Sequence, residues 1–283
     1  MDIKGSGAVV TGAGSGIGRG IALGLAEAGA TGSIVADVQQ ERADAVAAEI
    51  RSRGVTAAAF RCDVSKADAV ESLATFAWAT LGHVEILCNN AGVVTTGTGF
   101  ATTEADMRWQ FEVNVFGVFF GCKSFGQRFL KQDSKAWICN TGSHHSIGTP
   151  SVGLPTYVAT KHAVLGFTEA FRLEYGSRIG FSILFPGIVN TNAWNAGRNR
   201  PDELGGPTQG NPQNQAALQA YGLSPEFVGQ LVARGIANEE SFIWTHPFTI
   251  ELIEKRYQEC RDSIQRQWPE GPLPIHKRTP SRV

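Results

Sequence analysis

The chain has 283 residues, of which 42% are hydrophobic and 18% are charged, and its formal net charge is -1. This length and composition fit a single globular domain over residues 1–283 with a sizeable buried core. The balanced charge leaves no broad cationic surface, so we expect neither nucleic acid nor a membrane as a partner. A small molecule is the expected ligand.

The first residues lack the basic and apolar pattern of a secretion signal, and no apolar run is of membrane length. We therefore expect a cytoplasmic protein. The five cysteines are scattered along the chain without a C-x-x-C pair. We expect them to be reduced, and we predict no metal site.

Short apolar runs alternate with longer stretches of helical periodicity, which is the pattern of β-α units that build a parallel sheet. We predict an α/β fold with a Rossmann-like doubly wound parallel sheet of about seven strands and helices on both faces. The predicted strands cover residues 8–11, 33–36, 57–62, 85–88, 137–140, 181–185 and 242–244. The predicted helices between them begin near Gly16, Gln39, Lys66, Glu104 and Pro155.

The C-terminal third of the chain differs in composition from the rest. Residues 193–223 are dense in Asn, Gly, Pro and Gln, which predicts an irregular loop that leaves the sheet and forms a substrate lid. Residues 224–268 contain the last strand and two more helices, predicted over 224–237 and 247–266. Residues 269–283, with several prolines and basic residues, are predicted to form an extended tail.

A glycine-rich turn joins the first predicted strand to the first predicted helix. Backbone N–H groups at a helix start carry partial positive charge, and glycine lets a pyrophosphate approach without a Cβ in the way. The turn therefore predicts a dinucleotide site, and a tight turn without a ligand is the plainer alternative. The predicted phosphate-binding residues are Gly12, Gly14, Ser15, Gly16, Ile17 and Gly18.

The second predicted strand ends in Asp37, about twenty residues after the glycine turn. A carboxylate at this point accepts hydrogen bonds from the adenosine ribose hydroxyls and repels a 2′-phosphate. Neither Ser15 nor Val38 supplies a cation that would attract that phosphate. We therefore predict NAD rather than NADP as the cofactor. Asp37 could also cap the helix that follows it, and the two roles are compatible.

Tyr157 and Lys161 are four residues apart in a run of helical periodicity, so both side chains lie on one face of a helix. A tyrosine with a pKa of about 10 is a poor acid-base at neutral pH, and lowering that pKa to about 7 takes roughly 4 kcal/mol. A nearby ammonium favours the tyrosine anion, so we expect Lys161 to supply much of this energy. Such a pair by itself is also common on helix surfaces.

Two further polar residues have positions that suit an active site. Ser143 ends the fifth predicted strand, and the carboxyl ends of parallel strands line the ligand crevice. Its hydroxyl could hold a carbonyl oxygen, although Ser146 is close by and either serine could simply cap a turn. Asn114 lies inside an apolar helical stretch, where an unpaired amide costs a few kcal/mol, so we predict that its side chain is hydrogen-bonded.

Four motifs follow one another along the chain: the glycine turn, Asn89-Asn90-Ala91-Gly92, Tyr157-x-x-x-Lys161 and Pro186-Gly187. With these motifs the chain resembles the short-chain dehydrogenase/reductase superfamily, of the NAD-preferring type, over roughly residues 3 to 192. The resemblance implies further cofactor contacts. The implied cofactor-binding residues beyond the glycine turn and Asp37 are Asp63, Val64, Asn90, Ala91, Gly92, Tyr157, Lys161, Pro186, Gly187, Val189 and Thr191.

The resemblance also assigns roles to individual residues. Asp63 and Val64 would lie on the adenine, and Asn90 would pack against the adenosine. Thr191 would hold the nicotinamide carboxamide, and Asn114 would fix a water that relays protons from the catalytic lysine. A homodimer or homotetramer is implied as well.

The activity implied by the resemblance is NAD-dependent transfer of hydride between a secondary alcohol and its ketone. Tyr157 would be the acid-base, Ser143 would stabilise the carbonyl oxygen and Lys161 would hold the ribose. The alternatives are a reductase of acyl-thioester or polyol substrates and a catalytically idle dinucleotide-sensing protein. The C-terminal part resembles dehydrogenases of bulky aromatic alcohols, including the lignin aryl-ether Cα-dehydrogenases. The predicted substrate pocket consists of Val94, His144, His145, Leu154, Ile188 and Trp194.

Overall fold

The computed structural model of the protein describes residues 1–148 and 151–269. Within these ranges the chain forms a parallel sheet with helices packed on both of its faces. No helix in the same ranges is long and apolar enough to cross a membrane. The extended tail predicted for residues 269–283 lies outside the described residues, except for its first residue.

The sheet of the described residues has seven strands. They are β1 (Gly7–Thr11), β2 (Gly32–Asp37), β3 (Thr56–Arg61), β4 (Ile86–Asn89), β5 (Ala136–Thr141), β6 (Ile179–Phe185) and β7 (Phe242–Trp244). All pairs are parallel, and the order is β3-β2-β1-β4-β5-β6-β7. The central strands are buried along their whole length, because helices cover both faces of a parallel sheet. The predicted doubly wound fold is confirmed.

The strand order reverses beside β1, which pairs with β2 on one side and with β4 on the other. In doubly wound sheets, ligands bind outside the carboxyl ends of the strands at such a switch point. The loops that follow β1, β2, β4, β5 and β6 are therefore the places where functional residues are expected.

The helices of the described residues alternate with the strands as predicted. They are α1 (Gly16–Glu27), α2 (Gln40–Ser52), α3 (Ala67–Leu81), α4 (Glu104–Phe111), α5 (Gly117–Phe129), α6 (Pro155–Tyr175), α7 (Pro212–Tyr221), α8 (Pro225–Ala237) and α9 (Thr249–Gln267). A π-helical turn, Glu112–Phe116, joins α4 directly to α5.

Two apolar clusters fill the space between helices and sheet. One contains residues of α1, α2 and α8, and the other contains residues of α3, α5 and α6. Helices α1 and α8 touch at their glycines, since a Cβ on Gly24 would lie 2.6 Å from the backbone of Gly229. This close contact makes α8 part of the same core as the glycine turn that precedes α1.

The segment between β6 and α8 is more regular than its composition predicts. It contains the 3₁₀ turns Asn192–Asn199 and Asp202–Leu204 and then α7. The side chains of Thr191 and Asn211 accept capping hydrogen bonds from backbone N–H groups at the start of the first turn and of α7. The prediction of an irregular loop over 193–223 was wrong, because asparagine and proline start helical turns here.

Candidate active site

A crevice of about 1200 Å³ opens at the carboxyl ends of the strands. It exceeds the roughly 300–1,000 Å³ of ordinary ligand pockets, so it has room for a dinucleotide and a second molecule. Its walls come from the glycine turn, the loops after β2, β4, β5 and β6, and the helix α6. The predicted cofactor residues that line it are Gly12, Ser15, Gly16, Ile17, Gly18, Asp37, Asp63, Val64, Asn90, Ala91, Gly92, Tyr157, Lys161, Pro186, Gly187, Val189 and Thr191.

The glycine turn leaves the start of α1 open toward the crevice. Gly12 and Gly16 have φ angles of +62° and +54°, in the left-handed region that favours glycine. Ser15 is extended, and its side chain caps no backbone N–H of the described helix. A Cβ on Gly16 would lie 3.1 Å from Thr191 Cγ2, so a larger residue would fill the cradle. An uncapped helix start beside a narrow glycine cradle fits a pyrophosphate.

Gly14 lies behind this turn and does not line the crevice. Its N–H donates to Asp37 Oδ2 at 2.9 Å, and the Gln39 N–H donates to Asp37 Oδ1 at 3.0 Å. The predicted contact of Gly14 with the cofactor is therefore corrected to a supporting role, because its N–H is already used. Asp37 lines the crevice and is only 9% exposed. It orders the chain before α2 without capping the helix, which begins after Gln39, and its contact with the ribose stays a prediction.

Thr11 ties the end of β4 to the glycine turn. Its Oγ1 accepts hydrogen bonds from the N–H of Asn90 at 3.0 Å and from the N–H of Ala91 at 3.1 Å. The Asn90 Nδ2 donates to the Thr11 carbonyl oxygen at 3.0 Å. Sequence reasoning gave Thr11 no role of its own. The detectable signal was a hydroxyl residue at the last position of β1, where it can reach the neighbouring strand.

Tyr157 and Ser143 both line the crevice. Burial raises the pKa of Tyr157, and the nearby Ser143 side chain opposes that rise. The Lys161 Nζ lies 5.7 Å from the centre of the Tyr157 ring. Burial has the larger effect on the tyrosine without cofactor, and the expectation that Lys161 favours the tyrosine anion stays a prediction. Tyr157 is thus held protonated at neutral pH, ready to donate.

Lys161 is almost completely buried, with 3% of its surface exposed. Its Nζ donates to the Thr141 carbonyl oxygen at 2.8 Å, at the end of β5. Burial lowers the pKa of Lys161 to about 8, because the charged form loses its water. A lysine in this state keeps its position through one backbone hydrogen bond and retains two N–H donors for other groups.

Ser143 and Ser146 have different surroundings. The Ser146 Oγ accepts a hydrogen bond from the Ser143 N–H at 3.0 Å, inside the short turn His144–Ser146. The Ser143 Oγ accepts from the His145 N–H at 3.2 Å and also reaches Tyr157. Ser146 therefore stabilises the turn, and Ser143 is the serine whose hydroxyl meets the tyrosine.

Asn114 lies in the π-helical turn and is completely buried. Its Oδ1 accepts from the Val93 N–H at 2.8 Å, and its Nδ2 donates to the Val93 carbonyl oxygen at 2.9 Å and to Thr160 Oγ1 at 3.1 Å. The prediction that this amide is hydrogen-bonded is confirmed. Both amide hydrogens are used, so the side chain joins the loop after β4 to α6, and the water relay stays a prediction.

The family model described as short chain dehydrogenase matches residues 6–202. The chain belongs to this family. The predicted superfamily resemblance is confirmed, and with it a nicotinamide cofactor and oxidoreductase chemistry.

Two relatives of this short chain dehydrogenase have described activities. The (S)-acetoin-forming diacetyl reductase of Staphylococcus epidermidis is 34% identical over 191 residues, covering 66% of this chain and 72% of the relative. The Cα-dehydrogenase of Sphingobium sp. strain SYK-6 is 30% identical over 267 residues, covering 91% of this chain and 86% of the relative. The second match confirms the predicted similarity to Cα-dehydrogenases.

Similar solved structures hold either form of the cofactor. A short chain dehydrogenase/reductase from Burkholderia phymatum in complex with NAD is 32% identical, with a TM-score of 0.87, and the match covers 93% of this chain and 96% of that chain. A short chain dehydrogenase from Burkholderia cenocepacia J2315 in complex with NADP is 26% identical, with a TM-score of 0.71, covering 86% of this chain and 97% of that chain.

The predicted substrate residues Val94, His144, His145, Leu154 and Trp194 all line the crevice of this short chain dehydrogenase. Ile188 does not line it and is 40% exposed. Val189 forms a bridge with Leu223, and successive side chains of an extended segment point to opposite sides. Because Val189 faces the crevice, Ile188 is turned away from it, and its assignment to the pocket was wrong.

Three residues that sequence reasoning missed contact one another at the wall of the crevice. Arg200 Nη1 forms an ion pair with Asp106 Oδ1 at 2.8 Å, and its guanidinium lies 5.8 Å from the centre of the Trp109 ring. All three line the crevice. The only sequence signal was the Thr103–Asp106 capping box at the start of α4, which gives no hint of a contact with a residue so far along the chain.

Proposed function

We propose that this short chain dehydrogenase oxidises a secondary alcohol with NAD, or reduces the corresponding ketone with NADH. The observation that carries the proposal is that Tyr157, Ser143 and the buried Lys161 meet at the crevice, with the Lys161 Nζ 5.7 Å from the centre of the Tyr157 ring. A proton donor, a second hydroxyl and a cation at one point of a dinucleotide-sized crevice form the set that carbonyl reduction needs.

The cofactor would be held by the groups already described. The open start of α1 and the glycine turn would bind the pyrophosphate, and Asp37 would accept hydrogen bonds from the adenosine ribose. Lys161 and Thr191 also line the crevice, and the nicotinamide riboside would lie beside them. When bound, the nicotinamide supplies the hydride donor or acceptor.

The protein's own residues donate and accept the proton of the reaction. In the direction of reduction, the Tyr157 hydroxyl donates its proton to the carbonyl oxygen, and the Ser143 hydroxyl stabilises the negative charge that develops there. Lys161, held at the Thr141 carbonyl, favours the tyrosinate that remains. In the direction of oxidation the tyrosinate oxygen of Tyr157 takes the alcohol proton, so this direction requires the deprotonated form that Lys161 favours.

Asp37 supports NAD over NADP as the preferred cofactor. Two backbone N–H groups fix its carboxylate at the crevice wall, where it would repel a 2′-phosphate. Titration of the enzyme with NADH and NADPH, followed by fluorescence, should give tighter binding of NADH, and Asp37→Ala should narrow the difference. Tighter binding of NADPH by the wild type would refute this part of the proposal.

The size and lining of the crevice support a bulky, largely apolar substrate, aromatic or alicyclic. Two tryptophans, Trp109 and Trp194, lie on the substrate side together with Val94 and Leu154, and a relative over most of the chain is a Cα-dehydrogenase. NADH formation should be measured with a panel of aromatic and alicyclic secondary alcohols. Diacetyl, the substrate named for another relative, tests a small diketone in the reverse direction.

We also propose that the enzyme works as a homodimer or homotetramer in the cytoplasm. Exposed apolar side chains on α6 and on the adjoining π-helical turn support an oligomer, since Leu173 of α6 is 78% exposed and Phe116 of the turn is 48% exposed. Covering such residues is favourable. Light scattering after gel filtration should give a mass of two or four chains, and a monomer at micromolar concentration would contradict this.

A further inference from the structure

The 3₁₀ segment Asn192–Asn199 forms one wall of the crevice, and the residue that follows it holds it to α4. Arg200, the next residue, forms the ion pair with Asp106 of α4. The Gln39 Nε2 also donates to Asn199 Oδ1 at 3.4 Å, near the chain that follows Asp37. The segment therefore passes from the nicotinamide end of the crevice to its adenosine end. We call residues 192–200 the lid segment.

Arg198 in the lid segment has hydrogen-bonding capacity that the described residues do not use. Its Nη1 donates to the carbonyl oxygens of Asn192 and Asn195, at 2.8 and 2.6 Å. Its Nε is buried and has no hydrogen-bond partner among the described residues. The residue lines the crevice. A buried guanidinium N–H without an acceptor is costly, which calls for a ligand or a partner at this point.

The surroundings of Arg198 contain a second cation. The pKa of Arg198 is lowered, chiefly by burial and also by the nearby charge of Arg42, while Asp37 acts in the opposite direction. Arg42 and Asp37 both lie against Gly14, since a Cβ there would be 2.8 Å from Arg42 Cβ and 2.8 Å from Asp37 Oδ2. Each Asp37 oxygen accepts one hydrogen bond from a backbone N–H group and can accept a further one. Arg42 is therefore a second positive charge that acts on Arg198.

We propose that Arg198 binds a phosphoryl group of the dinucleotide and thereby fastens the lid segment over the bound cofactor. The inference rests on the proposed function, because it needs a dinucleotide in the crevice. A phosphoryl oxygen accepts a charge-assisted hydrogen bond from the unpaired Nε and removes the repulsion between Arg198 and Arg42. The phosphoryl group is either the pyrophosphate, present in both cofactors, or the 2′-phosphate of NADP.

The test is the affinity of the full-length enzyme for NADH, NADPH and ADP-ribose, measured by fluorescence and calorimetry at several salt concentrations. Arg198→Gln should weaken binding about tenfold at low salt. The loss should shrink as salt rises, because a charge contact is screened. Arg198→Lys keeps the cation and should restore part of the affinity. Arg261→Gln, on the exposed side of α9, is the matched control and should bind all three ligands like the wild type.

The ligands distinguish the two phosphoryl groups. An equal loss for all three ligands places Arg198 on the pyrophosphate, and a loss confined to NADPH places it on the 2′-phosphate. Unchanged affinity of Arg198→Gln for all three ligands would overturn the inference. A loss that stays constant with salt would also overturn it, because that result indicates only a loosened segment. If the wild type itself bound none of the three ligands, the proposed function would fail together with the inference.

Discussion

The burial of Lys161 should make the enzyme less stable than it would be without this charge. The pKa of Lys161 falls from an ordinary 10.5 to about 8 through burial, and a lowering of that size corresponds to about 3 kcal/mol. Lys161→Met keeps the length of the side chain and removes the charge. It also leaves the Thr141 carbonyl oxygen without the hydrogen bond of 2.8 Å, which costs about 1–2 kcal/mol. We expect a net gain of about 1–2 kcal/mol in unfolding free energy at pH 7.

The pH dependence of this gain has a definite sign. The unfolded chain binds the Lys161 proton more tightly than the folded chain does, so the wild type becomes more stable as the pH rises from about 8 towards 10.5. Lys161→Met has no such proton to release. The difference in stability between the variant and the wild type should therefore shrink across this window and favour the wild type at its upper end.

The assay is urea unfolding followed by circular dichroism, without cofactor, at pH 7 and at pH 9.5 and at one protein concentration. Tyr157→Phe serves as the control, because it alters the same site without removing a cation. Lys161→Met should be inactive although it is more stable at pH 7. The reasoning is refuted if Lys161→Met is less stable than the wild type at pH 7, or if the difference between them does not change with pH.

Three further predictions concern other parts of the site. Ser143→Ala should lower kcat by about 10²–10³-fold, whereas Ser146→Ala should chiefly lower the melting temperature; equal losses of kcat would contradict the assignment. Asn114→Leu removes three buried hydrogen bonds and should lower the unfolding free energy by about 2–4 kcal/mol in urea unfolding. A change below about 1 kcal/mol would mean that Asn114 does not hold the loop after β4 to α6. Asp106→Asn and Arg200→Gln should each raise KM, and the double variant should show a coupling of about 1 kcal/mol; strictly additive effects would mean that the ion pair does not hold the substrate side closed.

The fold could be predicted from the sequence because its signal is local and repeated. Each strand of the parallel sheet contains a short apolar run, and each helix has its own periodicity, so the predicted strand ends lie within two residues of the observed ones. The segment 193–223 was mispredicted because Asn and Pro can end a helix or begin one. Only the neighbouring backbone decides which of the two occurs.

The site could be predicted only as far as its motifs reach. Spacing placed Tyr157 and Lys161 on one helix face, and the glycine turn placed the cofactor. The pKa of Tyr157 could not be derived from spacing, because it depends on how deeply the completed fold buries the ring. The ion pair between Asp106 and Arg200 joins residues that are distant in the chain, and no local sequence pattern predicts such a contact.

The role of Tyr157 is the central claim, and one pair of measurements tests it most directly. The turnover of NAD with an active secondary alcohol should be compared between the wild type and Tyr157→Phe, together with the affinity of each protein for NADH. The proposed mechanism predicts a loss of kcat of at least about 10²–10⁴-fold, with the affinity for NADH within about threefold of the wild type. A Tyr157→Phe enzyme that keeps more than about a tenth of the wild-type kcat would contradict the account.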